Sequence, residues 1–205
     1  SSDTHYALKE VPLDDGGGAA GEAAETHREV ELLQQMDHPN IVRYEESFTE
    51  RDPGGRDCLY IVMELVEGTS LQELINSHAA KTLPIPERKI RDMALQIMHA
   101  LYYMHRKKKI THRDLTPSNV LLRTEVDVLT QETLLRPVLV DFGLARQRQG
   151  DMSVTASVVG TLAYACPEIV QRRPYTHKAD VWSLGVILYQ LVCLRNPFSD
   201  CNPLQ

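Results

Sequence analysis

The chain has 205 residues, 42% of them hydrophobic and 24% charged, with 11 Gly and 11 Pro; that is enough apolar content for a substantial core and too much for disorder. Its 28 acidic residues outnumber 22 basic ones and leave a net charge of -6, without the positive field that nucleic acid or anionic membrane binding needs. The longest mostly apolar stretch, Val181 to Leu194, is too short to span a bilayer, and the first residues carry no basic-then-apolar targeting signal, so a cytoplasmic or nuclear protein with no membrane and no nucleic-acid partner is expected.

Tyr6 to Val11 alternates with period two, placing Ala7, Lys9 and Val11 on one face and Tyr6 and Leu8 on the other, which predicts a short strand carrying a lysine. Asp14 to Gly21 reads as a flexible loop. Gly16, Gly18 and Gly21 fit the spacing G-x-G-x-x-G of nucleotide loops, but no apolar strand leads into them, and a linker is expected. From Glu22 to Met36, the residues Glu29, Leu32, Leu33 and Met36 fall on one helix face, so Glu29 points with the apolar stripe toward the core. His38-Pro39-Asn40 stops that helix, and strands are predicted over Ile41 to Phe48 and Leu59 to Leu65, flanking the polar turn Asp52-Pro53-Gly54-Gly55. From Ser70 the pattern turns helical. Pro86 opens a long helix in which Ile90, Ala94, Ile97, Leu101 and Met104 or His105 share a face. Apolar runs at Val120 to Leu122 and Val138 to Val140 bracket a polar insertion, and Asp180 to Leu194 predicts a helix apolar nearly all round, hence buried.

Cys58, Cys166, Cys193 and Cys201 are too sparse for a disulfide scaffold and form no close pair for a structural zinc, and the eight His lack metalloprotease spacing. A metal held by protein ligands alone is not expected. The chain opens on Ser1-Ser2 rather than Met, so a segment of a longer protein is expected.

Three motifs follow one another in fixed order. They are His112-Arg113-Asp114-Leu115 with Asn119 after it, then Asp141-Phe142-Gly143, then Cys166-Pro167-Glu168. Through them the chain resembles the eukaryotic protein kinases, from Ala7-Leu8-Lys9 to Asp180-Val181-Trp182-Ser183-Leu184-Gly185. It is similar in particular to the NIMA-related group, through His38-Pro39-Asn40-Ile41-Val42-Arg43-Tyr44 and Leu59-Tyr60-Ile61-Val62-Met63-Glu64. The resemblance implies an α+β, two-lobed fold. A small β-rich lobe and hinge would occupy residues 1–66, without the first two strands of the family, and a helical lobe 67–205, cut short after the buried helix at Asp180 to Leu194.

It also implies a serine/threonine protein kinase that uses ATP and Mg2+ on a protein substrate, with Tyr as a further acceptor left open. Transfer of a γ-phosphoryl group offers a protein little covalent work, so positioning and neutralisation of spreading charge carry the catalysis. Asp114 would orient the substrate hydroxyl and accept its proton, while Asn119 and Asp141 supply hard oxygen ligands for Mg2+. Lys9 would hold the α- and β-phosphates with Glu29 as its partner; Glu25, one turn earlier on the same helix face, is the alternative. Ala7 would cover the adenine, with Leu121 beneath it, Met63 as gatekeeper and the backbone from Glu64 to Val66 as hinge. Arg113 would face an activation segment bearing Ser153, Thr155 and Ser157, of which Ser157 is the best phosphorylation switch; Thr161 would bond near the catalytic Asp and lean the acceptor toward Ser and Thr, and Glu168 would pair with an Arg in later helices.

Two departures from the family stand out. Thr116 occupies the place of a lysine that meets the γ-phosphate, and the glycine cluster follows the lysine strand instead of preceding it. The rival reading is therefore a pseudokinase that serves as a binding module. A dinucleotide-binding enzyme fails for want of a strand, turn and helix around the glycines.

Overall fold

The alternation at the start of the chain forms β1 (Tyr6–Pro12), with Ala7, Lys9 and Val11 half-buried and Tyr6, Leu8 and Glu10 exposed. These observations come from a computed structural model that describes residues 4–13, 19–126, 133–143, 145–147 and 161–199. With β2 (Tyr44–Arg51) and β3 (Asp57–Glu64), β1 makes an antiparallel sheet ordered β1-β3-β2. The register sets Ala7 opposite Met63 and Lys9 opposite Ile61. Between β2 and β3 the carboxylate of Asp52 closes the turn, accepting from the Arg56 backbone N–H at 2.9 Å and from Arg56 Nε at 2.8 Å.

Two expectations change here. The first helix, α1 (Ala19–Gln34), begins earlier than the periodicity predicts, so Gly21 lies inside it rather than in a linker; Gly16 and Gly18 fall outside the described residues. The alanines at 19, 20, 23 and 24 are the strongest helix formers and offset the cost of about 1 kcal/mol for a helical glycine. The strand expected from Ile41 starts instead at Tyr44, because Ile41 is drawn into a parallel bridge with Leu139 of the second sheet. Val42 donates to Leu139 O and Leu139 to Asn40 O, both at 2.9 Å, so the segment after α1 joins the two sheets.

That second sheet has the order β4-β6-β7, formed by β4 (Gly68–Ser70), β6 (Val120–Val126) and β7 (Thr133–Leu139); a small ribbon pairs β5 (Ile110–Thr111) with β8 (Arg146–Gln147). Gly68 is obligatory: its φ is +158°, and a Cβ there would lie 1.9 Å from Leu122 O. Ser70 and Glu73 form a reciprocal capping box that starts α2 (Leu71–Ala80).

In α3 (Glu87–Tyr102) the expected face is covered, with Ala94, Ile97 and Leu101 buried and Ile90 half-buried, and the chain continues into a π-helical turn, Tyr103–Lys108, that buries Met104 and His105. A short α4 (Pro167–Val170) precedes α5 (Lys178–Cys193). The expectation of a wholly buried helix does not hold for α5. Leu184, Val186, Ile187 and Leu191 are buried, while Val181 is 49% and Val192 63% exposed, because α5 meets the core with one face only.

One apolar cluster runs from Leu32 and Leu33 of α1 through Phe142 to Leu184 and Ile187 of α5. The strand-rich beginning and the helix-rich remainder thus share a core, and the functional side chains sit along the seam between them. Among the described residues no helix is long and apolar enough to cross a membrane.

Candidate active site

Lys9 reaches from β1 into that seam. Its Nζ donates to Glu29 Oε1 at 2.8 Å and to Asp141 Oδ1 at 3.0 Å, joining a strand, a helix and the Asp141-Phe142-Gly143 segment. The helical periodicity of α1 places Glu29 toward the core, where it is only 5% exposed; the side chain of Glu25 lies outside the described residues. Burial alone would lower the Lys9 pKa, but the two carboxylates outweigh it and hold the ammonium above its ordinary value. For Asp141, burial alone would raise the pKa, and the Lys9 ammonium together with the Gly143 N–H brings it below the usual carboxylate range. Asp141 adopts a left-handed φ of 60°, an uncommon conformation for a residue with a side chain. Phe142 beside it is fully buried, with its ring centroid 5.1 Å from that of His112.

The catalytic-loop candidates gather at Asp114. Asn119 Nδ2 donates to Asp114 O at 2.9 Å and to Asp114 Oδ2 at 3.1 Å. Thr161 approaches from the other side, with its backbone N–H donating to Asp114 Oδ1 at 3.0 Å and its hydroxyl at 3.3 Å. Thr116, at the departure from the family pattern, is buried. The Val140 N–H donates to Asn119 O at 3.0 Å, tying the strand that leads to Asp141 to the loop that carries Asn119.

Of the adenine candidates, Ala7 and Met63 are direct cross-strand neighbours, and Leu121, like Met63, is half-buried against the core. Glu64 ends β3 and Val66 is buried in the connection that follows. Arg113, with a left-handed φ of 73°, lies with its guanidinium carbon 5.7 Å from the centre of the Tyr175 ring. Glu168 is exposed near the start of α4 and makes no ion pair among the described residues. Ser153, Thr155 and Ser157 lie outside the described residues.

Several residues of this site carry no local signal. Asp180 of α5, 1% exposed, accepts from the backbone N–H groups of His112 and Arg113 at 2.9 Å each and lies 2.6 Å from His105 Nε2. Burial would raise its pKa, but His105 and these N–H donors hold it below the ordinary range. Asn40, also buried, donates from Nδ2 to Pro137 O at 2.8 Å and to Gln96 Oε1 at 3.0 Å. The sequence offers each only as part of a familiar word, Asp180-Val181-Trp182 and His38-Pro39-Asn40, with no indication of its partner.

The donor set suits a magnesium-bound nucleotide. Asp141 commits Oδ1 to Lys9 and Gly143, and no described residue bonds to its Oδ2. Asn119 commits its amide nitrogen to Asp114, which leaves its oxygen as the ligand atom for a hard cation. A Cβ at Gly143 would meet Asp141 Oδ1 at 3.3 Å, Glu29 Oε2 at 3.5 Å and Lys9 Nζ at 3.6 Å. A side chain at this position would rest against all three groups of the clamp.

The chain matches the model of the family described as protein kinase domain over residues 1–205. It is 44% identical to the human (Homo sapiens) serine/threonine-protein kinase Nek10 over 173 residues, which is 84% of this chain and 14% of that protein. Identity is 42% over 177 residues with the serine/threonine-protein kinase D1044.8 of Caenorhabditis elegans, covering 86% of this chain and 16% of that protein. With the mouse (Mus musculus) serine/threonine-protein kinase Nek1 it is 37% over 198 residues, covering 97% and 15%. The chain thus spans about a sixth or less of the length of these curated relatives.

Proposed function

The chain belongs to the protein kinase domain family, and from that premise we propose that it transfers the γ-phosphate of ATP to serine and threonine hydroxyls of a protein substrate. The single observation that carries this reading is Lys9 Nζ bridging Glu29 and Asp141 at 2.8 and 3.0 Å. Such a bridge assembles the phosphate-binding lysine, its helix partner and the metal-binding carboxylate at one point.

Magnesium bound at Asp141 and Asn119 would supply neutralisation of phosphate charge. The remaining work falls to side chains. Lys9 binds the phosphate chain, and Glu29 keeps its ammonium directed there. Asp114 has its carboxylate aimed by Asn119 and Thr161, and takes the proton of the substrate hydroxyl as the hydroxyl oxygen bonds to phosphorus and the β,γ-bridging oxygen departs with ADP. The hydroxyl of Thr161 on Asp114 favours Ser and Thr as acceptors, whereas Thr116 in the place of a lysine leaves Tyr to be tested.

The experiment is transfer of labelled γ-phosphate to random peptides containing a single Ser, Thr or Tyr, with and without magnesium. Magnesium-dependent labelling of the Ser and Thr peptides is expected. Nucleotide binding with no transfer to any peptide would instead support the binding-module reading.

A further inference from the structure

A carboxylate apart from the clamp and the catalytic loop joins the two sheets where the chain crosses between them. Glu64 ends β3. Its Oε2 accepts from Arg123 Nη2 of β6 at 2.8 Å, and its Oε1 accepts from the Arg43 backbone N–H at 3.0 Å. The Glu64 N–H in turn donates to Arg43 O at 2.9 Å, so backbone and side chain of one residue are both fixed. The Arg123 and Glu64 side chains are 30% and 22% exposed, sufficiently withdrawn from water for a charge-assisted bond to hold its direction.

The other end of the connection is anchored to the same strand. Gly68 pairs with Arg123 in the β4-β6 register, and its backbone approaches Leu122 so closely that no side chain fits. Residues 65–67 therefore run between two attachments to β6, an ion pair at Glu64 and a backbone contact at Gly68. Without the ion pair the Glu64 backbone would stay in β3, opposite Tyr6 and bonded to Arg43 O, but the connection would lose its tie to β6 at that end; a hydrogen bond between a peptide group and a flat base depends on the direction of that group.

We propose that the Glu64–Arg123 ion pair positions the nucleotide base: it sets the peptide planes from Glu64 to Val66 for contact with the purine, which makes Arg123 a positioning residue for adenine recognition. The inference rests on the kinase reading, since that reading assigns the base to this connection. It adds a residue of the second sheet that bonds to the connection from outside.

The test compares two ligands on the full chain, magnesium-ATP and magnesium-tripolyphosphate. The second offers a phosphate chain to Lys9 and Asp141 and has no base. Arg123→Gln should weaken ATP binding about fivefold, as for loss of a well-directed, part-buried ion pair, and leave tripolyphosphate binding unchanged. The KM for ATP should rise with kcat retained, and Arg123→Lys should recover most of the loss. Glu64→Gln keeps an acceptor for the Arg43 N–H while removing the charge, and should shift the ratio of the two affinities in the same direction. An equal loss for both ligands, or a lower melting temperature with the ratio unchanged, would overturn the proposal and leave the pair as a support of the fold. A wild-type chain that binds ATP no better than tripolyphosphate would overturn the kinase reading itself, an outcome distinct from the failure of the ion pair.

Discussion

The catalytic loop and the lysine clamp meet at one seam but are held in different ways. Asp114 is set by a frame of backbone bonds: the residues before it donate their N–H groups to the buried Asp180, and Asn119 and Thr161 direct its carboxylate. Lys9, Glu29 and Asp141 are held by side-chain ion pairs between separate elements, and Lys9 and Asp141 are 34% and 50% exposed. On the proposed function, a base would have to keep one geometry through every turnover and a phosphate clamp would have to admit and release its ligand, and the buried frame of the loop and the more exposed ion pairs of the clamp suit those two demands.

The greatest loss should follow from a chemical change in the loop. Asp114→Asn removes the proton acceptor and, because both carboxylate oxygens accept from Asn119 or Thr161, also gives up one of those bonds; turnover should fall about 10²- to 10⁴-fold with nucleotide affinity unchanged. Peptide phosphorylation measured beside ATP binding checks it; a parallel loss of binding would place Asp114 in the clamp rather than the loop.

Next in size is the frame itself. Asp180→Asn turns one carboxylate oxygen into a donor facing a backbone N–H and leaves His105 without its acid, in a site that is 1% exposed. Taking a charged acceptor away from buried N–H donors should cost about 3 kcal/mol or more of folding stability. Urea unfolding would measure it, and a loss under about 1 kcal/mol would show that the loop does not depend on α5.

Asn40→Ala weakens the join between the sheets. The substitution leaves Pro137 O without its side-chain donor and Gln96 without a partner at Oε1. A loss of about 1–3 kcal/mol is expected. Because the same segment follows α1, protection of the Glu29 region in hydrogen exchange should fall with it, while the amides of His112 and Arg113 stay protected.

Local patterns carry the chemistry of this site and little of its support. Period two in β1 puts Ala7 and Lys9 on one face, the helical period puts Glu29 in the core, and Asp114, Asn119 and Asp141 stand in motifs of fixed spacing. Asp180 and His105 are 75 residues apart, and Glu64 and Arg123 are 59 apart. Pairs that distant meet only through the folded topology, which no local period encodes. The helix at Ala19 was hidden for a different reason: glycines at 16, 17, 18 and 21 dominate the composition there and mask the alanines among them. The exposed side of α5 is likewise illegible, because a run apolar on every face has no period to say which face the core will cover.

The smallest expected effect belongs to the clamp and depends on pH. In the folded chain the Asp141 carboxyl titrates below its ordinary value of about 3.9, while the Lys9 ammonium titrates above about 10.4. The Asp141 contribution to stability is thus fully present above the unfolded value and is lost as pH falls through the lower, folded one; that of Lys9 is present below its unfolded value and is lost as pH rises through the higher, folded one. Across the neutral range both are present. Asp141 is half exposed, so solvent screening limits its share to under about 1 kcal/mol. Asp141→Asn should accordingly lower stability slightly at pH 7, and the difference from the wild type should shrink with added salt and close as the acid limb is descended. Asp180, held low by His105 and the loop N–H groups, should account for a steeper fall on the same limb that Asp141→Asn leaves in place. Urea unfolding of both proteins from neutral pH downward makes the comparison. A deficit in Asp141→Asn that stayed constant to the foot of the limb would mean that the residue acts through packing, and the contrast between a fixed loop and an ionic clamp would have to be withdrawn.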